Sequence, residues 1–95
     1  MTSKQRAHLR ALANPLDTLF QIGKGGVSEN LLLQLDDLLR VRELIKIRVL
    51  ETAGVPAKEL APALADALDA QCVQVIGARI VLYRRNPEKK DGIVV

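Results

Sequence analysis

Apolar positions along the chain recur with two different periods, and the switches between them lay out the elements. Ala7, Leu9, Leu12 and Ala13 form an imperfect helical stripe, with Ser3 as the expected N-cap and Arg6 and Arg10 spaced onto another face. Pro15 ends this segment, because the residue before a proline is pushed out of helical geometry. Leu19-Phe20-Gln21-Ile22 reads as a short strand stopping at Gly23. Ser28 then caps a second helix, in which Glu29 suits the positive end of the dipole. Leu31, Leu35, Leu38, Leu39 and Arg42 keep a 3.6-residue rhythm there, and Leu32 and Leu33 widen the stripe, predicting packing on more than one side.

The period then changes to two. Ile45, Ile47 and Val49 alternate with Lys46 and Arg48, the pattern of a half-buried strand that sets two cations side by side on its other face. Gly54 and Pro56 mark a loop, and Leu60, Leu64 and Leu68 predict a third helix over about residues 57–70. Pro62 is tolerated there if it falls within the first four helical residues and otherwise kinks the helix. Cys72 to Ile76 and Arg79 to Arg84 flank Gly77-Ala78, which predicts a hairpin with Gly77 supplying the positive φ of a type II′ turn. Asn86-Pro87 closes the last strand. The order α-β-α-β-α-β-β therefore predicts one α+β domain over residues 1–86, an open sheet with helices packed on it, followed by a tail at 87–95.

Composition narrows the function. The chain has 95 residues, is 48% hydrophobic and carries a net charge of +3, which suits one folded domain. No apolar run approaches the ~20 residues that cross a bilayer. The opening Met1-Thr2-Ser3-Lys4-Gln5-Arg6 reads as the start of a mixed helix rather than a signal peptide. Cys72 is the single cysteine, so an internal disulfide is excluded, and there is no Cys/His cluster for zinc. These features lead to the expectation of a cytoplasmic protein without metal, cofactor or small-molecule substrate. The charge is unevenly spread: residues 1–28 carry +3, 29–45 carry −2, 46–58 carry +2, 59–70 carry −3 and 71–87 carry +3. Alternating signs along a chain become a two-sided molecule when the basic segments meet in space.

Catalytic constellations are absent. His8 is the only histidine, Cys72 has no nearby base in the sequence, and Asp36 and Asp37 diverge by about 100° on a helix, so they cannot share a metal. Phe20 and Tyr83 are the only aromatics, too few for a base-stacking platform. Gly23-Lys24-Gly25-Gly26 is different. It lies between a strand and a capped helix, where glycines admit close backbone approach and helix-start amides favour a phosphate. The spacing fits neither a Walker A loop nor a dinucleotide fingerprint, but as Gly-x-x-Gly it matches the loop that clamps nucleic-acid backbone in KH domains. The same four residues also make an ordinary turn, so the loop alone leaves both readings open. Lys4, Arg6, Arg10, Lys24, Lys46, Arg48, Arg79, Arg84 and Arg85 could converge around it to hold phosphates without reading sequence.

Several short motifs in register resemble one family. Ser3-Lys4-Gln5-Arg6, His8-Leu9-Arg10, Asn14-Pro15-Leu16, Ile22-Gly23-Lys24-Gly25-Gly26-Val27-Ser28, Glu43-Leu44-Ile45-Lys46-Ile47-Arg48, Val73-Gln74-Val75-Ile76-Gly77 and Leu82-Tyr83-Arg84 resemble the bacterial YhbY-type proteins. These are stand-alone CRM (chloroplast RNA splicing and ribosome maturation) domains. The resemblance implies a two-layer α+β fold similar to the C-terminal domain of translation initiation factor three, with a four-stranded mixed sheet. It also implies binding of structured RNA, with rRNA and precursors of the large ribosomal subunit as the expected partners. Carried over by position, Gly23, Lys24, Gly25 and Gly26 form the binding loop and Lys46 and Arg48 the basic strand. Lys4, Arg6, Arg10 and Arg84 extend the expected track, in a protein expected to act as a monomer. A competing reading is a protein-interaction module that uses the acidic faces carrying Asp36, Asp37, Asp66 and Asp69.

Overall fold

The two-residue alternation over Leu44–Val49 is realised as a central strand of a four-stranded sheet. A computed structural model of the chain describes residues 2–87. In chain order these hold α1 (Ser3–Ala13), β1 (Phe20–Ile22), α2 (Glu29–Arg42), β2 (Leu44–Val49), a 3-10 turn (Glu51–Ala53), α3 (Ala57–Ala67), β3 (Gln71–Ile76) and β4 (Arg79–Tyr83). The sheet order is β1-β2-β4-β3, with β1 parallel to β2 and the other pairs antiparallel. Gly77 opens the hairpin at φ +54° while Ala78 keeps a negative φ, the combination a type II′ turn requires.

Strand alternation divides the core in two. Ile80 and Leu82 of β4, with Ile45, Ile47 and Val49 of β2, meet Leu31, Leu35 and Leu39 of α2 and Ala57, Ala61 and Leu64 of α3. Val81 and Tyr83 of the same strand face the other way, joining Leu44 and Val73 to Leu9 and Ala13 of α1. The α+β class and the mixed four-stranded sheet hold; α2 and α3 form the layer on one face, and α1 covers part of the other. Each fully buried Leu or Ile contributes about 1.5–3 kcal/mol, so β4, buried on both faces, anchors both clusters.

Some local expectations change. The first helix is capped by Thr2, not Ser3: Thr2 Oγ1 accepts from the Gln5 amide at 3.1 Å, and Gln5 Oε1 accepts from the Thr2 amide at 2.9 Å. The reciprocal box needs a glutamine or glutamate three residues on, and Gln5 supplies it only for Thr2. β1 starts at Phe20 rather than Leu19, whose amide still donates to the Lys46 carbonyl at 3.0 Å. Arg42, placed on the apolar stripe of α2, is exposed. The third helix ends at Ala67, and Asp69 turns the chain at φ +52°. Its buried stripe runs through Ala57, Ala61, Leu64 and Leu68, with Leu60 half-buried. Pro62 is the sixth helical residue, beyond the tolerated first four, yet the helix continues through it. Of the expected tail at 87–95, residues 88–95 lie outside the described residues.

Candidate nucleic-acid interface

The glycine loop is a turn built for its residues. The Gly26 amide donates to the Gly23 carbonyl at 3.0 Å, closing a four-residue turn with Lys24 and Gly25 at its centre. Gly25 has φ +97° and Lys24 a negative φ, the signature of a type II turn, which needs glycine at its third position. Gly26 also has a positive φ, +61°. Lys24 sits exposed at the tip. No carbonyl among the described residues accepts from the Lys24 or Gly25 amide. Ser28 Oγ then accepts from the Leu31 amide at 3.1 Å to start α2, whose first turn already holds the Glu29 carboxylate.

The loop stands at one end of the sheet. Ile22, the last residue of β1, pairs with Val49, and the Val49 amide donates to Ala78 in the hairpin turn. One step down the strands lies a row on the α1 side: Gln21 pairs with Arg48, and Arg48 pairs with Arg79. Lys46 pairs with Val81 one row further on the same face. The β3 register slips between Cys72 and Gln74, a bulge that lets Val73 enter the α1 cluster while Gln74 still pairs with Val81. Helix α1 covers Leu44, Val73 and Tyr83 but not the row of Arg48 and Arg79, both of which are exposed. A cleft of about 360 Å³ opens there, lined by Asn14, Leu16, Asp17 and Thr18 on one wall and by Lys46, Gln74, Ile76, Arg79 and Val81.

The remaining candidates separate. Lys4 and Arg10 are exposed on α1. Arg6 turns inward and donates to the carbonyls of Cys72 at 2.6 Å and Val73 at 3.1 Å, tying α1 to the bulge. Lys46 donates to the Asn14 carbonyl at 3.4 Å. Arg84 points to the opposite layer, donating to Asp36 Oδ1 at 2.6 Å, the Asp36 carbonyl at 3.0 Å and the Leu68 carbonyl at 2.9 Å. Lys46 and Arg48 thus share one face, and the loop stands at the end of the sheet next to Arg48, whereas Arg84 does not join them. Arg79 and Gln74 complete the row. Sequence reading has Arg79 only as one cation among many; its position opposite Arg48 depends on the β2–β4 register, a long-range pairing.

Neither aromatic is free to stack. Phe20 packs against the main core and Tyr83 is 7% exposed in the α1 cluster. Burial pushes the Tyr83 hydroxyl above its ordinary pKa, as does the nearby Glu43 charge, with Arg85 opposing. Burial likewise raises the Cys72 thiol, only partly countered by Arg6 and a hydrogen bond from the Gln74 backbone, so at neutral pH it is a protonated, weak nucleophile. Among the described residues no three His, Cys, Asp or Glu side chains are grouped to hold a metal, and no helix is long and apolar enough to cross a membrane.

The family model of the CRS1 / YhbY (CRM) domain matches residues 1–84. The chain is 42% identical over 91 residues to a Bacillus subtilis protein named probable RNA-binding protein YqeI, covering 96% of this chain and 95% of that protein. It is 31% identical over 90 residues to a protein of Haemophilus influenzae named RNA-binding protein, covering 95% of this chain and 91% of that one. A solution structure from Staphylococcus aureus, of a protein proposed to bind RNA, matches with a TM-score of 0.78 and 44% identity over 100% of this chain and 99% of that one.

Proposed function

The chain belongs to the CRS1 / YhbY (CRM) domain family, and from that premise we propose that it is a non-catalytic RNA-binding protein acting on structured rRNA during assembly of the large ribosomal subunit. The observation that carries the reading is the position of the Gly23–Gly26 turn at the end of the sheet, one step beyond the row of Arg48 and Arg79, with Lys46 further along the face that carries the two arginines. Backbone amides of Lys24 and Gly25 meet phosphate oxygens, Lys24 adds a point charge, and the strand cations continue along the RNA backbone. The names of the relatives support RNA as the partner class. Apart from Glu29, in the first turn after the loop, the acids of α2 and α3 lie on the other layer, away from a polyanion approaching from the α1 side.

A salt titration tests this. Binding to rRNA fragments is expected to weaken steeply between about 50 and 200 mM salt, as counterion release requires. Lys24→Glu should weaken all fragments alike and lower the log–log salt slope by about 1 or more. Affinity that ignores salt contradicts the reading. A pull-down partner kept after ribonuclease digestion favours a protein-docking role instead.

A further inference from the structure

Arg48 and Arg79 are direct partners across β2 and β4, which sets their Cα atoms about 4.5–5.5 Å apart on one face. Like charges directly opposite in a sheet oppose folding. Neither has an ion-pair partner among the described residues, whereas Arg40 pairs with Asp37 and Arg84 with Asp36. A guanidinium presents a planar fork of donors, and two forks side by side match the oxygens of one phosphate. An anion between them turns a repulsive pair into a charge-matched one.

Beside the pair lies the cleft, and its lining is mixed. Arg79 and Lys46 are its cations; Ile76, 56% exposed, and the buried Val81 give apolar surface; Asn14, Thr18 and Gln74 offer both donors and acceptors; Asp17 lies on the wall. Its volume of about 360 Å³ falls in the range of small-ligand sites. A nucleobase has two apolar faces and a hydrogen-bonding edge, which this lining can cover and satisfy. In a duplex that edge is turned inward, so only an unpaired nucleotide can enter. Asp17 repels a phosphate from the wall, and Lys46 is held by the Asn14 carbonyl, so the phosphate is placed toward the arginines and the base toward Asn14 and Thr18.

We propose that the open half of the sheet is a subsite for one unpaired nucleotide of RNA, its phosphate held between Arg48 and Arg79 and its base in the cleft formed with Asn14, Thr18, Gln74 and Ile76. This rests on the RNA-binding reading and adds to it a preference for single-stranded positions beside the backbone-binding loop.

The test uses the full chain and two fluorescent RNA probes, a stem–loop and the same sequence closed into a continuous duplex. Arg79→Gln is expected to weaken the stem–loop about tenfold, the worth of hydrogen bonds to a charged group, and the duplex much less. Its melting temperature should stay level or rise, since a like-charge pair is relieved. Gln74→Ala should weaken the stem–loop without changing the salt slope, because it touches no phosphate. Arg79→Gln binding both probes like the wild type, or weakening both equally, overturns the subsite while leaving RNA binding intact. Wild-type protein that binds neither probe sinks the RNA reading itself, and the subsite with it. Polyglutamate displacing the stem–loop as well as RNA does, with the same sensitivity to Arg79→Gln, reassigns the face to an acidic protein partner and also overturns the proposal.

Discussion

Arg48 and Arg84 carry the same charge on neighbouring strands' ends, yet only one is available to a ligand. Tyr83 faces α1, so the next position turns to the other layer, and Arg84 meets α2 and the end of α3 there. Its three hydrogen bonds join the Asp36 carboxylate and carbonyl to the Leu68 carbonyl. Arg84→Ala is therefore expected to cost about 2 kcal/mol, read as a lower urea midpoint at unchanged slope, while RNA affinity of the folded variant is kept. Arg84→Lys should recover less than half, because an ammonium cannot fork to two acceptors. A variant with the wild-type midpoint and lost RNA binding would place Arg84 in the interface instead. The charge of each residue was legible in the sequence; its direction was not. Arg6 shows the same limit, since only the β3 bulge presents the two carbonyls that capture it. Lys24 and Gly25 were legible, because a type II turn has its own residue preferences.

At the scale of elements, order and type followed from periodicity, and misses fell where two local signals competed. Ser3 and Thr2 are both good caps, and the glutamine three residues after Thr2 decides between them. In the third helix the leucine spacing pointed to Leu60, whereas Ala57 and Ala61 are what lie flat against the sheet, because α3 packs closely over β3 and β4. Pro62 is the larger conflict. As the sixth helical residue it cannot donate to the Lys58 carbonyl, and its ring crowds that group; Lys58 is exposed, so water can take the freed acceptor. Packing of Ala61 and Leu64 holds the helix despite this. Pro62→Ala should restore the bond and raise stability by about 2 kcal/mol, the helix-interior cost of proline less the entropy it removes from the unfolded chain. A calorimetric melt decides it: an unchanged or lower melting temperature would mean the proline fits α3 without cost.

For the whole molecule, the alternating charges of the sequence sort by layer. α1 carries Lys4, Arg6 and Arg10 and no acid, while α2 and α3 carry Glu29, Asp36, Asp37, Glu59 and Asp66 against Arg40, Arg42 and Lys58, so the net +3 hides a basic side and an acidic side. That arrangement requires α1 to lie on the sheet face opposite α2 and α3, a long-range fact no local pattern encodes. It also leaves α1 the helix with the fewest buried side chains. The helix buries only Leu9 and Ala13, in a six-residue cluster separate from the main core, and adds the Arg6 bonds to β3. Stability within a fold follows such differences in buried contact, so α1 should detach at a lower free energy than the sheet unfolds. Native-state hydrogen exchange can read this from the Asn14 amide, bonded to Arg10, against the amides of β2 and β4. The α1 amide is expected to exchange through a smaller opening, and Leu9→Ala, costing about 3 kcal/mol at a fully buried site, should bring that opening closer still. Because Asn14, at the end of α1, also forms the cleft wall and accepts from Lys46, detachment would open the subsite and weaken RNA binding together with helix protection. Equal protection of α1 and β4 in the wild type would instead make the two clusters one cooperative unit, with the interface preformed on a single rigid body.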